Sequence, residues 1–110
     1  MRSYIIDEIS LPDMERIEKF LKENSEGSGI EKVFWVKIPD DYLNDIQSRH
    51  RECQPHVFAI ELGADWIKAE FLIRTLKDLR CQCNCYCDPK QRGFIIDSME
   101  AMIEELDIRP

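Results

Sequence analysis

Residues 56–74 have the sequence HVFAIELGADWIKAEFLIR, which carries a clear signal for a β-hairpin. In its second half, four apolar residues at every other position predict a strand with one buried face; they are Ile67, Ala69, Phe71 and Ile73. Gly63-Ala64-Asp65 supplies residues that are typical of the turn between two antiparallel strands. We therefore predict a hairpin with arms 56–62 and 66–74, beside which the other strands of the sheet lie.

The residues before the hairpin predict a strand, a helix and a second strand. Residues 2–6 have β-type side chains, and residues 30–38 form a second strand with apolar residues on both faces. Such two-sided burial is typical of a central strand or of one that a partner covers. Between them, Ser10 can cap a helix that Pro12 helps to begin, and residues 14–21 place apolar side chains on one face.

The remaining residues predict two helices and one strand. A second helix begins near Pro39 and ends at Pro55, and cysteines alternate with polar residues over 80–87 as in a strand. Asp88-Pro89-Lys90-Gln91 has the pattern of a capping box at the start of a third helix. The order β-α-β-α-β-β-β-α predicts an α+β fold, a two-layer α/β sandwich. Its mixed β-sheet contains a parallel pair across the first helix, and its helices lie mainly on one face.

Length and composition limit the classes of protein that fit. A chain of 110 residues is typical of a single domain, which we place at 1–110. With 22 acidic and 15 basic residues, the net charge of -7 argues against a nucleic-acid partner or a membrane-surface partner. No stretch has the roughly 20 apolar residues of a membrane-spanning helix, and the N-terminus becomes acidic too early for a signal peptide. We therefore expect a cytoplasmic location.

Four of the five cysteines lie within seven residues, in C-x-C-x-C-x-C spacing at Cys81, Cys83, Cys85 and Cys87. Clustered thiolates predict a transition-metal site, with zinc as the first candidate. In a regular strand, alternate side chains lie roughly 6.6–6.8 Å apart. Four sulfurs around one zinc ion lie only about 3.8 Å from one another. The backbone must therefore turn, or ligands from elsewhere must join these cysteines.

A second segment offers such ligands in H-x2-C-x2-H spacing: His50, Cys53 and His56, which include both histidines of the chain. His50 and Cys53 are one helical turn apart, so their side chains can point the same way. The candidate metal ligands are therefore Cys81, Cys83, Cys85, Cys87, His50, Cys53 and His56. No pattern of catalytic residues or of a cofactor-binding loop accompanies them.

Three hypotheses of function follow from the cysteines. In the first, the protein is a small non-enzymatic binding or adaptor protein with a structural zinc ion. In the second, the cysteines are buried structural thiols of a metal-free module for protein interaction or homodimerisation, since cysteine is among the most buried residue types. In the third, the chain is a thiol-based redox or sulfur-handling enzyme, because four basic side chains against two acidic ones over residues 68–80 favour thiolates.

Overall fold

The computed structural model of the protein describes residues 2–109, which form three α-helices and seven β-strands. The helices are α1 (Leu11–Asn24), α2 (Asp45–Arg49) and α3 (Pro89–Glu105). The strands are β1 (Ser3–Ile6), β2 (Glu26–Gly27), β3 (Val33–Lys37), β4 (His56–Leu62), β5 (Ile67–Glu70), β6 (Leu72–Thr75) and β7 (Cys85–Tyr86). Two 3-10 turns, Asp40–Tyr42 and Arg51–Cys53, flank α2. None of the helices within residues 2–109 is long and apolar enough to cross a membrane.

The α+β class is confirmed, and one detail of the predicted sheet is wrong. The strand order is β1-β5-β4-β3-β2, with β6 paired to β4 and β7, and every pairing in the described residues is antiparallel. The expected parallel pair across the first helix therefore does not form. The reason is local: α1 leads into the two-residue β2, and the turn at residues 28–32 then reverses the chain before β3 begins.

The predicted hairpin is confirmed, with an interruption at Phe71. Ile60 pairs with Ala69, and Val57 pairs with Arg74. Between these two pairs the first arm has two residues, 58–59, and the second arm has four, 70–73. The resulting bulge frees the backbone of Phe71 for other strands. Its amide donates to the Arg2 carbonyl at 3.0 Å, and its carbonyl accepts from the Cys87 amide at 2.8 Å. Phe71 thereby joins the start of β1 to the end of β7.

The core lies between one face of the sheet and helices α1 and α3. The four alternating apolar residues of the hairpin are all buried, as their period predicts. Against them pack the apolar faces of both helices, whose most buried members are Ile17, Ile95 and Met99. Ser10 caps α1 through the amide of Asp13, and Asp88 and Gln91 form the predicted capping box of α3. The predicted starts of these two helices are confirmed.

Two further predictions about secondary structure are wrong. The helix expected from Pro39 to Pro55 is broken into α2 and two 3-10 turns, because Asn44 and Gln47 form a capping box that begins α2 in the middle of that range. The strand expected over 80–87 is reduced to β7. Residues 78–83 are turns instead, and the hydrogen bonds of Asn84 described below explain why.

Candidate metal centre

Four side chains from two separate segments meet at one place in the structure: His50, Cys53, Cys81 and Cys83. Their potential ligand atoms all lie within 4.8 Å of one another. Cys53 Sγ and Cys81 Sγ are 3.8 Å apart, and His50 Nδ1 lies 3.0 Å from Cys81 Sγ. Cys53 and Cys83 are buried, whereas His50 and Cys81 are partly exposed. The cluster is therefore a His/Cys group that can hold a metal ion.

The first half of the cluster is built by the end of α2 and the 3-10 turn that follows it. The His50 amide donates to the carbonyls of Ile46 and Gln47 at 3.2 Å, and so ends the helix. The Cys53 amide then donates to the His50 carbonyl at 3.0 Å, which places the two side chains on one side of the turn. Thr75 holds the last residue of this 3-10 turn in place, because its hydroxyl donates to the Cys53 carbonyl.

The second half of the cluster is a turn that Asn84 holds in place. Asn84 Oδ1 accepts a hydrogen bond from the Thr75 amide at 2.8 Å. Its Nδ2 donates to the carbonyls of Asp78 at 2.9 Å and Cys81 at 3.0 Å. Because one side chain satisfies three backbone groups, residues 78–84 turn back on themselves instead of extending. Cys81 and Cys83 thereby come close enough together to share one site.

A buried pair of glutamines supports the Cys83 side of the cluster. Gln47 Nε2 donates to the Cys83 carbonyl at 3.2 Å, and Gln91 Nε2 donates to Gln47 Oε1 at 2.8 Å. Both glutamine side chains are fully buried. The network fixes Cys83 relative to α2 and α3, since buried amides are expensive to leave without partners.

The thiols of the cluster differ in their electrostatic environment. The pKa of the Cys81 thiol is lowered to about 7, first by a hydrogen bond from the Cys83 amide and then by the neighbouring Cys83, His50 and Cys53 side chains. Burial raises the pKa of the Cys83 thiol to about 12, and burial also raises the pKa of Cys53. Without a metal ion, Cys81 is therefore the thiol of the cluster that most readily becomes a thiolate.

Three of the seven predicted ligands lie outside this cluster. Cys85 Sγ accepts hydrogen bonds from Asn44 at 3.4 Å and Gln47 at 3.6 Å. Cys87 packs against the hydrophobic core, and burial raises the pKa of its thiol. His56 is buried at the start of β4, where burial lowers the pKa of its imidazole.

The supporting residues Asn84, Gln47 and Gln91 were not among the predicted site residues. A partial signal exists in the sequence, because Asn44-Asp45-Ile46-Gln47 and Asp88-Pro89-Lys90-Gln91 both have capping-box spacing. The contact between the two glutamines joins residues 44 positions apart, so no local pattern indicates it.

Comparisons of this chain with protein-family models, with curated proteins and with solved structures found no significant match. The function is therefore inferred from the geometry and chemistry of the site.

Proposed function

We propose that this protein binds one zinc ion through His50, Cys53, Cys81 and Cys83, and that the zinc is structural. The observation that carries the proposal is the convergence of four ligand atoms from two segments within 4.8 Å. Such convergence needs a reason, because buried thiols that only fill space have no need to meet in groups of three beside an imidazole.

The donor set matches the chemistry of zinc. Three thiolates and one imidazole form one of the usual tetrahedral sets of structural zinc sites. The 3.8 Å between Cys53 Sγ and Cys81 Sγ equals the separation of about 3.8 Å that two sulfurs have around zinc. Sulfur ligands also disfavour magnesium and calcium, which prefer oxygen.

A structural role follows from the number of ligands. Four protein ligands fill a tetrahedral zinc ion and leave no open position for a substrate or a reactive water. The ion would join positions 28 residues apart and hold the turn at residues 78–84 against the end of α2. Zinc would thus stabilise a segment that has little regular secondary structure of its own.

An adaptor role would explain why this segment is stabilised. Leu76 and Leu79 are 44% and 78% exposed; Leu76 lies just before the turn at residues 78–84, and Leu79 lies within it. Two exposed leucines on one short segment offer a small apolar surface that a protein partner would cover. We assign these two side chains to contact with a protein partner, with zinc fixing the conformation in which they are presented.

The test is a measurement of metal content on protein purified under reducing conditions, by native mass spectrometry and elemental analysis. We expect one zinc per chain, and we expect Cys81→Ser to lower the occupancy while Cys85→Ser retains it. Cys85 is the matched control, because it lies on the same cysteine segment but outside the cluster. A folded wild-type protein without zinc that also fails to bind added zinc would overturn the proposal.

Thiol chemistry is the second candidate, and the contact between Cys53 and Cys81 favours it. Two sulfurs 3.8 Å apart, one of which has a pKa of about 7, are well placed to form a disulfide under oxidation. Rapid formation of a Cys53–Cys81 disulfide at low oxidant concentration, in the protein as purified, would support this candidate. Slow oxidation that requires a chelator first would support the structural zinc ion.

A further inference from the structure

A second feature of the molecule lies where the start of β1, the bulge at Phe71 and the first turn of α3 meet. These elements enclose a cavity of about 320 Å³. Its lining residues are Arg2, Ser3, Phe71, Cys87 and Arg92. The volume is at the lower end of the range of roughly 300–1,000 Å³ that small-molecule sites occupy.

Two arginines face this cavity, and aromatic rings hold both of them. The Cζ of Arg2 lies 4.3 Å from the centre of the Tyr86 ring, and that of Arg92 lies 5.2 Å from the centre of the Phe71 ring. Stacking on an aromatic face restricts a guanidinium group and leaves its N–H groups free to bind at the edge. Both arginines are exposed, and the rings favour positions of their guanidinium groups beside the cavity.

Neither arginine has a carboxylate partner among residues 2–109, where the ion pairs involve other cations. Asp88 is close to Arg92 in sequence, but its carboxylate accepts a hydrogen bond from the Gln91 amide at 2.8 Å as the cap of α3. A chain with a net charge of -7 has many carboxylates to offer. Two cations on one cavity without a carboxylate partner therefore point to an anion from outside the chain.

We propose that this cavity binds the phosphate group of a small phosphorylated molecule. Guanidinium groups match the geometry of phosphate oxygens and bind them in pairs of parallel hydrogen bonds. Phe71 is largely buried beneath Arg92, and its accessible atoms together with Cys87 give the cavity a small apolar patch for the organic part of a phosphate ester. The site shares no residue with the metal centre, so it stands apart from the proposed zinc function.

Isothermal titration calorimetry at constant ionic strength tests the proposal, with inorganic phosphate and phenyl phosphate as probes. We expect Arg2→Gln and Arg92→Gln each to weaken phosphate binding by about fivefold or more, because each removes charged hydrogen bonds. Arg109→Gln is the matched control, since Arg109 is exposed beyond the other end of α3. Unfolding curves of each variant establish that it is folded before titration.

The two probes distinguish the source of the phosphate. Tighter binding of phenyl phosphate supports an ester ligand whose organic part contacts the apolar patch of the cavity, and equal binding supports the same site with free phosphate as its ligand. The proposal is overturned if wild-type protein binds neither probe. It is also overturned if Arg109→Gln weakens binding as much as Arg92→Gln, since phosphate would then bind to surface charge in general.

Discussion

Gln91 Nε2 donates a hydrogen bond to Gln47 Oε1 at 2.8 Å, and both side chains are completely buried. Each glutamine also closes the capping box of its own helix, Gln47 with Asn44 in α2 and Gln91 with Asp88 in α3. The Nε2 of Gln47 donates to the Cys83 carbonyl. Two helix starts and Cys83 of the candidate metal centre are thus joined through two amide groups whose donors and acceptors all have partners.

We predict that Gln91→Leu destabilises the protein by about 2–3 kcal/mol, because it leaves buried polar groups unpaired. The carbonyl of Tyr42 and the amide of Asp88 would both lose the partner that Gln91 supplies. Urea unfolding of the zinc-saturated protein measures the change. Gln82→Leu is the control: Gln82 is exposed, so its replacement should change the free energy of unfolding by no more than about 0.5 kcal/mol. Equal stability of the two variants would contradict the role given to the network.

We predict that Asn84→Ala lowers zinc affinity by about tenfold or more without removing a ligand, as changes to groups that orient metal ligands commonly do. The substitution removes the side-chain partner of the Thr75 amide and of the Asp78 and Cys81 carbonyls, so the turn at residues 78–84 is less ordered before zinc binds. Part of the free energy of zinc binding is then used to order this turn. Competition with a chromogenic chelator gives the affinity. Asn24→Ala removes only a hydrogen bond to Phe20 at the end of α1, and it should leave the affinity unchanged. An unaltered affinity in Asn84→Ala would show that the turn forms without this side chain.

The sequence indicates the local structure well, because caps and alternating burial act over a few residues. Ser10 and Asp88 begin helices where their neighbours predict, and the alternation over residues 67–73 identifies the buried face of the hairpin. The direction of β3 could not be predicted in the same way. It depends on the two-residue β2, which is too short to leave a hydrophobic pattern.

The candidate site was predicted in part. The set of seven candidate ligands contains all four residues of the cluster, but alternation over residues 80–87 does not distinguish a strand from a turn. Three hydrogen bonds from the Asn84 side chain favour the turn over the strand. Each of them satisfies a backbone group that, in a strand, would bond to the backbone of a neighbouring strand. The separation of Cys85 and Cys87 from Cys81 follows from that turn.

We predict that His56 makes the protein less stable in acid. Burial, followed by the charge of His50, lowers the pKa of the His56 imidazole below its ordinary value of 6.5. Both ring nitrogens lack hydrogen-bond partners among the described residues. As the pH falls below 6.5, His56 takes up a proton in the unfolded chain before it does so in the folded chain, so the free energy of unfolding decreases. Well above 6.5 the imidazole is neutral in both states, so it does not change the free energy of unfolding with pH.

Replacement of His56 by Met tests this, since methionine fills a similar volume without a titratable group. The free energy of unfolding of His56→Met should fall less between pH 7 and pH 5 than that of the wild type, whereas loss of zinc at low pH affects both proteins alike. Parallel pH profiles would contradict the prediction. Zinc content at pH 7 provides an independent check, because the structure places His56 outside the metal cluster and the variant should retain one ion.

We predict that Asp107→Gly stabilises the protein by about 0.5–1 kcal/mol, because glycine adopts positive φ without steric cost. Asp107 follows the end of α3 with a φ of 53°, and the amides on this turn donate back to Ile103 and Glu104 at 3.0 Å. Its carboxylate also lies at the negative end of the helix dipole, and its ion pair with Arg109 is largely exposed and contributes little. Thermal unfolding measures the gain.

The same substitution at the exposed Asp97, inside α3, should instead destabilise the protein by roughly 0.5 kcal/mol or more, because glycine disfavours a helical backbone. A loss of stability at both positions would show that the backbone at Asp107 is not strained.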